Sequence, residues 1–189
     1  MLLSNGWKLS AQETIVPMLT INGDGTDSVE TYGYVYCDED GTEHYFYTDS
    51  EDKSNVKYSD ENGLGMLLTY NSAEKNYELI TNNSIIKKFK VVTEVTGDQL
   101  INVGYIVSQT DEKGNSITYN YDDTNTRLLS ITDPSYTTIH FGYTDNHLTQ
   151  ITAGSQTITI VYNYDESDGS IQDISSITDN YGSETYFSY

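Results

Sequence analysis

The sequence predicts an all-β fold of consecutive antiparallel β-hairpins, repeated along the chain into a curved or spiralling sheet. Three observations carry this. Short segments alternate apolar and polar residues at period two, the signature of a half-buried strand. Those segments recur at nearly constant spacing. Glycine- and aspartate-rich turns separate them.

The alternation is clearest in Ile117-Thr118-Tyr119-Asn120-Tyr121, Ile139-His140-Phe141-Gly142-Tyr143 and Ile160-Val161-Tyr162-Asn163-Tyr164, followed by Thr185-Tyr186-Phe187-Ser188-Tyr189. Successive segments start 22, 21 and 25 residues apart, at 117, 139, 160 and 185. Between them lie the pairs Leu128 and Ile131, Leu148 and Ile151, and Ile174 and Ile177, each marking a second, shorter strand. One unit thus reads as a turn, a strand ending in aromatic-x-Tyr, a polar turn, and a short (L/I)-x-x-I strand. A period of 20–25 residues indicates a stacked array whose units cannot bury their apolar faces alone. The turns fit this reading. Asp111 to Asn115 and Asp179 to Gly182 supply Gly114 and Gly182 for a positive φ, and Asp133-Pro134 is a proline-containing turn rather than a cleavage site.

The first half follows a looser version. Asp38 to Phe46 is a turn and strand, and Asp60 to Gly63 leads into a strand over Met66 to Tyr70. Residues 85–92 mix Ile85, Ile86, Phe89, Val91 and Val92 with Lys87, Lys88 and Lys90, which predicts an edge strand guarded by charge. Ser72 to Ile80 is the one stretch with any helical character, at most one or two turns, with an ordinary loop as the alternative. The organisation expected is a β-rich lead-in over residues 1–105 and regular hairpin repeats over 106–189. The chain stops at Tyr189 partway through a unit, so its last strand is expected to offer an edge to another chain.

Composition limits the function classes. Eighteen tyrosines compensate for a hydrophobic fraction of 36%, since each buries a large ring while its hydroxyl reaches water or a partner. Nine basic against 29 acidic residues give a net charge of −20, with Arg127 the single arginine. Nucleic acid is excluded as a partner, because phosphates would go unneutralised. Anionic lipid is disfavoured for the same reason. The acidity reads as solubility, with cation binding as the alternative. The segment Asn22 to Glu30 reads as a hairpin tip, the alternative being a calcium loop using Asn22, Asp24 and Asp27. The single cysteine, Cys37, cannot form an intrachain disulfide and reads as a small hydrophobe rather than a nucleophile. No stretch is long enough to span a membrane, and the first residues do not read as a signal peptide.

Chemistry-bearing motifs are few. His44, His140 and His147 show no metal-ligand spacing, and His140 alternates with Ile139 and Phe141 so as to face solvent. Neither a nucleophile elbow nor a phosphate loop is present, and the reading is of a non-catalytic chain, the alternative being a glycan-active enzyme that uses a pair of its abundant carboxylates. The recurrent Tyr119, Tyr121, Tyr143, Tyr162, Tyr164 and Tyr189 are expected to pack the buried face and stack between units. The alternative is that exposed rings stack on sugars.

Gly114 to Asp133, GNSITYNYDDTNTRLLSITD, resembles the YD repeat of the bacterial RHS family, which teneurins also contain. It carries Gly114, then Tyr119-x-Tyr121-Asp122, then Arg127-Leu128, then Ile131-Thr132-Asp133. Later units lose the arginine and read Phe141-Gly142-Tyr143-Thr144 and Tyr162-Asn163-Tyr164-Asp165, before Phe187 and Tyr189 in the last. Gly6 to Ser10 and Asp40 to Phe46 are similar to the segment preceding such repeats in clostridial wall-associated proteins. The resemblance implies a spiralling sheet that in full-length members closes into a shell around a C-terminal toxic domain, while other members sit on the cell wall and are proposed to bind carbohydrate. It therefore implies a non-catalytic structural segment of a secreted or wall-associated protein, with the rest of the repeat array as partner. The family's self-cleaving core has no counterpart here.

Overall fold

The computed structural model describes residues 9–21, 29–47, 57–71, 73–96, 99–124, 127–165 and 171–189. Asn22, Asp24 and Asp27, the calcium alternative, lie outside them, as does the Gly6-Trp7-Lys8 opening. Among the described residues every regular element is a strand, and adjacent strands pair antiparallel. No helix among them is long and apolar enough to cross a membrane. The all-β, hairpin-linked reading of the sequence holds.

The chain divides into two compact units, one of Ser10–Ile117 and one containing Thr118–Tyr189. The first contains β1 (Thr14–Ile21), β2 (Val29–Cys37), β3 (Glu43–Tyr47), β4 (Lys57–Asp60), β5 (Leu67–Asn71), β6 (Asn76–Ile80), β7 (Ile86–Thr96) and β8 (Gln99–Thr110). These strands pair in chain order, and β8 then returns to β1 through Thr14↔Tyr105 and Ile15↔Gly104. The result is a closed eight-stranded barrel, which removes the edges an open sheet would expose. Residue 106, the expected start of the regular repeats, sits inside β8, a barrel strand.

Two expectations fail in this unit. The stretch read as a turn of helix or a loop is a tight turn followed by β6, because Tyr77 and Leu79 alternate into the interior and give the segment a period of two. The predicted edge strand is β7, hydrogen-bonded to β6 on one side and β8 on the other. Only Lys88 and Lys90 point outward; Lys87 shares the inward face with Phe89. The interior is filled by Ile15, Phe46, Leu68, Leu79, Phe89 and Ile106 together with tyrosines. Tyr34 meets Tyr58 edge-on at 4.9 Å and Tyr77 at 5.2 Å, the arrangement ring quadrupoles favour. Gly33 is required by close approach, since a Cβ there would lie 2.6 Å from the Phe46 carbonyl oxygen.

The second unit carries the regular repeats: β9 (Ser116–Tyr121), β10 (Leu128–Thr132), β11 (Thr138–Thr144), β12 (His147–Ala153), β13 (Gln156–Tyr164), β14 (Ile171–Thr178) and β15 (Glu184–Tyr186). They pair in chain order. The (L/I)-x-x-I spacing of three, odd for a strand, is a β-bulge. In β10 Leu128 opposes Tyr121 and Ser130 opposes Asn120, leaving Leu129 as the extra residue; Thr149 and Ser175 are its counterparts in β12 and β14. The bulge returns Leu128, Leu148 and Ile174 to the inner face, where all three are fully buried.

The bulge also corrects the alignment of the third unit. Leu128 opposes Tyr121 and Leu148 opposes Tyr143, but Ile174 opposes Tyr162, not Tyr164. Tyr164 lies two residues past the equivalent position and is 58% exposed. Tyr189 is 72% exposed, so these two rings do not pack the buried face as expected.

Five-residue turns start the repeats and recur in the barrel. At Asp38, Asp111, Asp133 and Asp179 the aspartate N–H donates to the carbonyl four residues on, at 3.0 Å in every case. Its Oδ1 accepts from the N–H groups two and four residues on, at 2.8–3.0 Å. The fourth residue has positive φ and is glycine in three of them: Gly41, Gly114 and Gly182. In the proline-containing turn that place is taken by Tyr136 at φ 66°. Among the described residues the last strand, β15, pairs with β14.

Candidate functional site

Two constellations stand out. The first is the interface between successive hairpins. Tyr143 donates its hydroxyl to the Leu128 carbonyl at 2.7 Å, and Tyr162 donates to the Leu148 carbonyl at 2.8 Å. Each tyrosine thus reaches back one unit to the bulge-flanking leucine and supplies its carbonyl with a side-chain partner, at a position that the strand pairing between the two units does not reach. Burial pushes the Tyr162 hydroxyl pKa up to about 12, and burial likewise raises Tyr143, so both remain neutral donors. Arg127 spans the same junction. Its Nε donates to Asp122 Oδ2 at 2.7 Å, its Nη1 to Asn146 Oδ1 at 3.1 Å, and its guanidinium lies 5.9 Å from the Tyr143 ring centre.

The other repeat-defining residues take complementary places. Tyr119 opposes Ile131 and Phe141 opposes Ile151, forming the second rung of their hairpins. Gly114 sits at φ 84° in an exposed turn. Phe187 is half-buried and its N–H donates to the Ser175 carbonyl at 2.9 Å. His140 is exposed, as its alternation requires, and Cys37 is half-buried.

The second constellation lies inside the barrel and was not expected from the sequence. Lys87 is 6% exposed and Glu13 4%. Lys87 Nζ donates to Glu13 Oε2 at 2.7 Å and to Tyr36 Oη at 2.9 Å, with Glu39 Oε2 3.5 Å away. Tyr36 donates its own hydroxyl to Glu13. Burial, then the Glu13 carboxylate, raises the Tyr36 pKa steeply, so the phenol stays protonated. Lys87 also lies 5.5 Å from the centre of the Tyr36 ring. The parity of the residues was the available signal: Glu13 shares it with Ile15, Tyr36 with Tyr34, and Lys87 with Phe89, so each polar side chain is inward by alternation alone.

Beside this cluster, Tyr36 stacks on His44 with centroids 5.5 Å apart. His44 Nε2 is 2.8 Å from Asp38 Oδ2, while its Nδ1 is buried without a hydrogen-bond partner, an arrangement worth about 1–3 kcal/mol of lost solvation. Burial acts to raise the Asp38 pKa, but hydrogen bonds from His44, Thr42 and Asp40 outweigh it and hold the carboxyl below its ordinary value. These groups line a cavity of about 320 Å³ together with Thr81, Asn82, Asn83 and Gln109. Among the described residues no cluster of three or more His, Cys, Asp or Glu side chains is arranged to hold a metal ion. Compared with known proteins, the chain matches no family model and no curated sequence.

Proposed function

We propose that this chain is a non-catalytic structural segment of a larger secreted or cell-wall-associated protein of the RHS/YD-repeat kind, forming part of a scaffold or shell. The observation that carries the reading is the bond repeated from Tyr143 to Leu128 and from Tyr162 to Leu148. Repeating one donor–acceptor pair at the same place in consecutive hairpins sets the pitch of an array, as interface terms do in repeat proteins. The chain's most regular chemistry is thus directed at its own next unit. The resemblance of Gly114 to Asp133 to a YD repeat supports the same reading. The partners under this proposal are the remaining repeats and, in a closed shell, an enclosed C-terminal domain.

A series of chains ending after β10, β12 and β14 tests it by urea unfolding. A scaffold built from interlocking units gains stability with each added hairpin. Equal midpoints across the series would show that the hairpins do not support one another and would remove the basis of the proposal.

A second reading, a carbohydrate-binding surface, is favoured by a specific observation. Tyr164, Tyr181, Tyr186 and Tyr189 are all exposed within the repeat unit, rings of the kind that stack on sugar faces. A glycan array separates the two. Binding that Tyr164→Ala and Tyr181→Ala abolish establishes the second reading; an array without binders leaves the scaffold role alone.

A further inference from the structure

The seam that closes the barrel is short. β1 and β8 pair at Thr14↔Tyr105 and Ile15↔Gly104, and the Ile106 N–H donates to the Glu13 carbonyl at 3.3 Å. The same register continued would set Pro17 opposite Asn102, but the ladder stops before it. Proline has no N–H to donate and sits in sheets where an edge is left open. Among the described residues, Val16–Ile21 is laddered to β2 on one side and Gln99–Val103 to β7 on one side. The edges that face each other across the seam carry no ladder there. β9 turns back from β8 at Asp111 and, at six residues, is too short to reach Val103.

A cavity of about 320 Å³ opens in this gap. Pro17 and Leu19 of β1 line it on one side, and Leu100, Ile101 and Asn102 of β8 on the other. Tyr34 and Tyr77, both buried, line it from the barrel interior. Gly104 lets Tyr77 lie against β8, since a Cβ there would stand 2.7 Å from the ring. None of the described lining residues is an acid, a lysine, an arginine or a histidine, in a chain of net charge −20. An ionised side chain entering the gap would therefore lose its hydration without a partner. Leu100, 72% exposed, extends the apolar surface to the rim.

We infer that this gap is a strand-addition site, binding an extended, uncharged peptide from another chain that pairs antiparallel with Gln99–Val103 and turns alternate apolar side chains toward Tyr34 and Tyr77. Such a peptide completes the open ladder with its main chain and fills the cavity with every second side chain. β8 takes it rather than β1, because Pro17 interrupts the donors of β1. The peptide follows the track alongside β8 that β1 leaves after Ile15. The site lies in the barrel unit and does not depend on the scaffold reading, which rests on the hairpin repeats.

NMR titration of the full chain, labelled with ¹⁵N at its backbone amides, tests this with three hexapeptides capped at both ends. One alternates valine and threonine, the second is the same peptide with every amide nitrogen methylated, and the third carries lysine in place of valine. The first is expected to shift the Leu100–Val103 amides saturably and to slow their hydrogen exchange. The methylated and lysine peptides are expected to bind at least roughly tenfold more weakly, one for want of main-chain donors and the other for the charge it must bury. Leu100→Asp alters an exposed rim residue, leaves the fold intact, and is expected to weaken the first peptide roughly tenfold. Unmoved β8 amides overturn the inference, as does equal binding of the methylated peptide or unchanged binding to Leu100→Asp. Shifts confined to Glu184–Tyr186 also overturn it, since they would place the peptide on the last strand of the repeats. So does a dimer in sedimentation whose Leu100–Val103 amides are protected without peptide, which would assign the gap to a second copy of the chain.

Discussion

Lys87→Met removes one half of an ion pair that the barrel encloses almost completely. Lys87 and Glu13 are 6% and 4% exposed and their charged atoms are 2.7 Å apart. Truncating one partner leaves the other as an uncompensated charge in a low-dielectric interior, which costs about 3–5 kcal/mol. A domain of this size has a total stability of about 5–15 kcal/mol, so the loss is a large fraction of it. Glu13→Gln meets the same penalty from the other side, with Lys87 left charged. The double variant behaves differently. The methionine side chain fills the volume of the lysine stem, and the amide introduced by Glu13→Gln still offers an oxygen to the Tyr36 hydroxyl, so that buried donor is not stranded. The double variant is expected to lie within about 2 kcal/mol of the parent, although the singles sum to roughly 6–10 kcal/mol. Urea unfolding followed by tyrosine fluorescence and circular dichroism, with midpoints and slopes compared across the four proteins, measures the coupling. Additive losses, or singles that each cost less than about 1 kcal/mol, would refute the argument that the pair is buried and mutually dependent.

Three further outcomes are expected. Tyr143→Phe and Tyr162→Phe each strand a leucine carbonyl at a bulge and should lower stability by about 1 kcal/mol in urea; identical midpoints for both variants and parent would mean the inter-unit bond contributes nothing. Gly33→Ala places a Cβ 2.6 Å from the Phe46 carbonyl oxygen, a backbone atom held by β2–β3 pairing, and should cost about 1–3 kcal/mol by thermal unfolding, whereas an unchanged melting temperature would show that the strands can separate freely there. Asp111 and Asp133 accept turn hydrogen bonds, chiefly from Asn115 and Ser135, that hold their carboxyls below the ordinary 3.8; the turns are thus stabilised above the ordinary carboxylate range and lose that contribution as pH falls through the folded value, and carboxyl ¹³C titration giving 3.8 or higher at either residue would contradict it.

Much of the repeat half is legible in the sequence because its determinants are local. Asp111, Asp133 and Asp179 build their turns from hydrogen bonds within five residues, and Gly114 and Gly182 meet the positive φ there. The (L/I)-x-x-I pairs are visible too, but their meaning is not. A spacing of three fits no regular strand, and only pairing with the neighbouring strand shows that Leu129, Thr149 and Ser175 are the extra residues of bulges. Counting from Ile160 placed Tyr164 in the repeated position. The register of β13 against β14 gives that position to Tyr162, because Ile174, fully buried on the inner face, lies opposite it, with Ile177 opposite Ile160.

By itself the sequence determined the all-β class, the strands of the repeat half and their hairpin turns, since alternation and turn chemistry act over a few residues. Tertiary structure alone decided that β1–β8 close on themselves. Closure rests on the pairing of Thr14 with Tyr105 and Ile15 with Gly104, contacts between segments far apart in the chain that leave no local pattern. The same holds for the candidate site. Lys87 sits among lysines that read as a solvated edge, and its partner Glu13 lies 74 residues away. Parity could place each of them indoors, but only the barrel's curvature brings the two charges within hydrogen-bonding distance and gives the interior a reason to hold them.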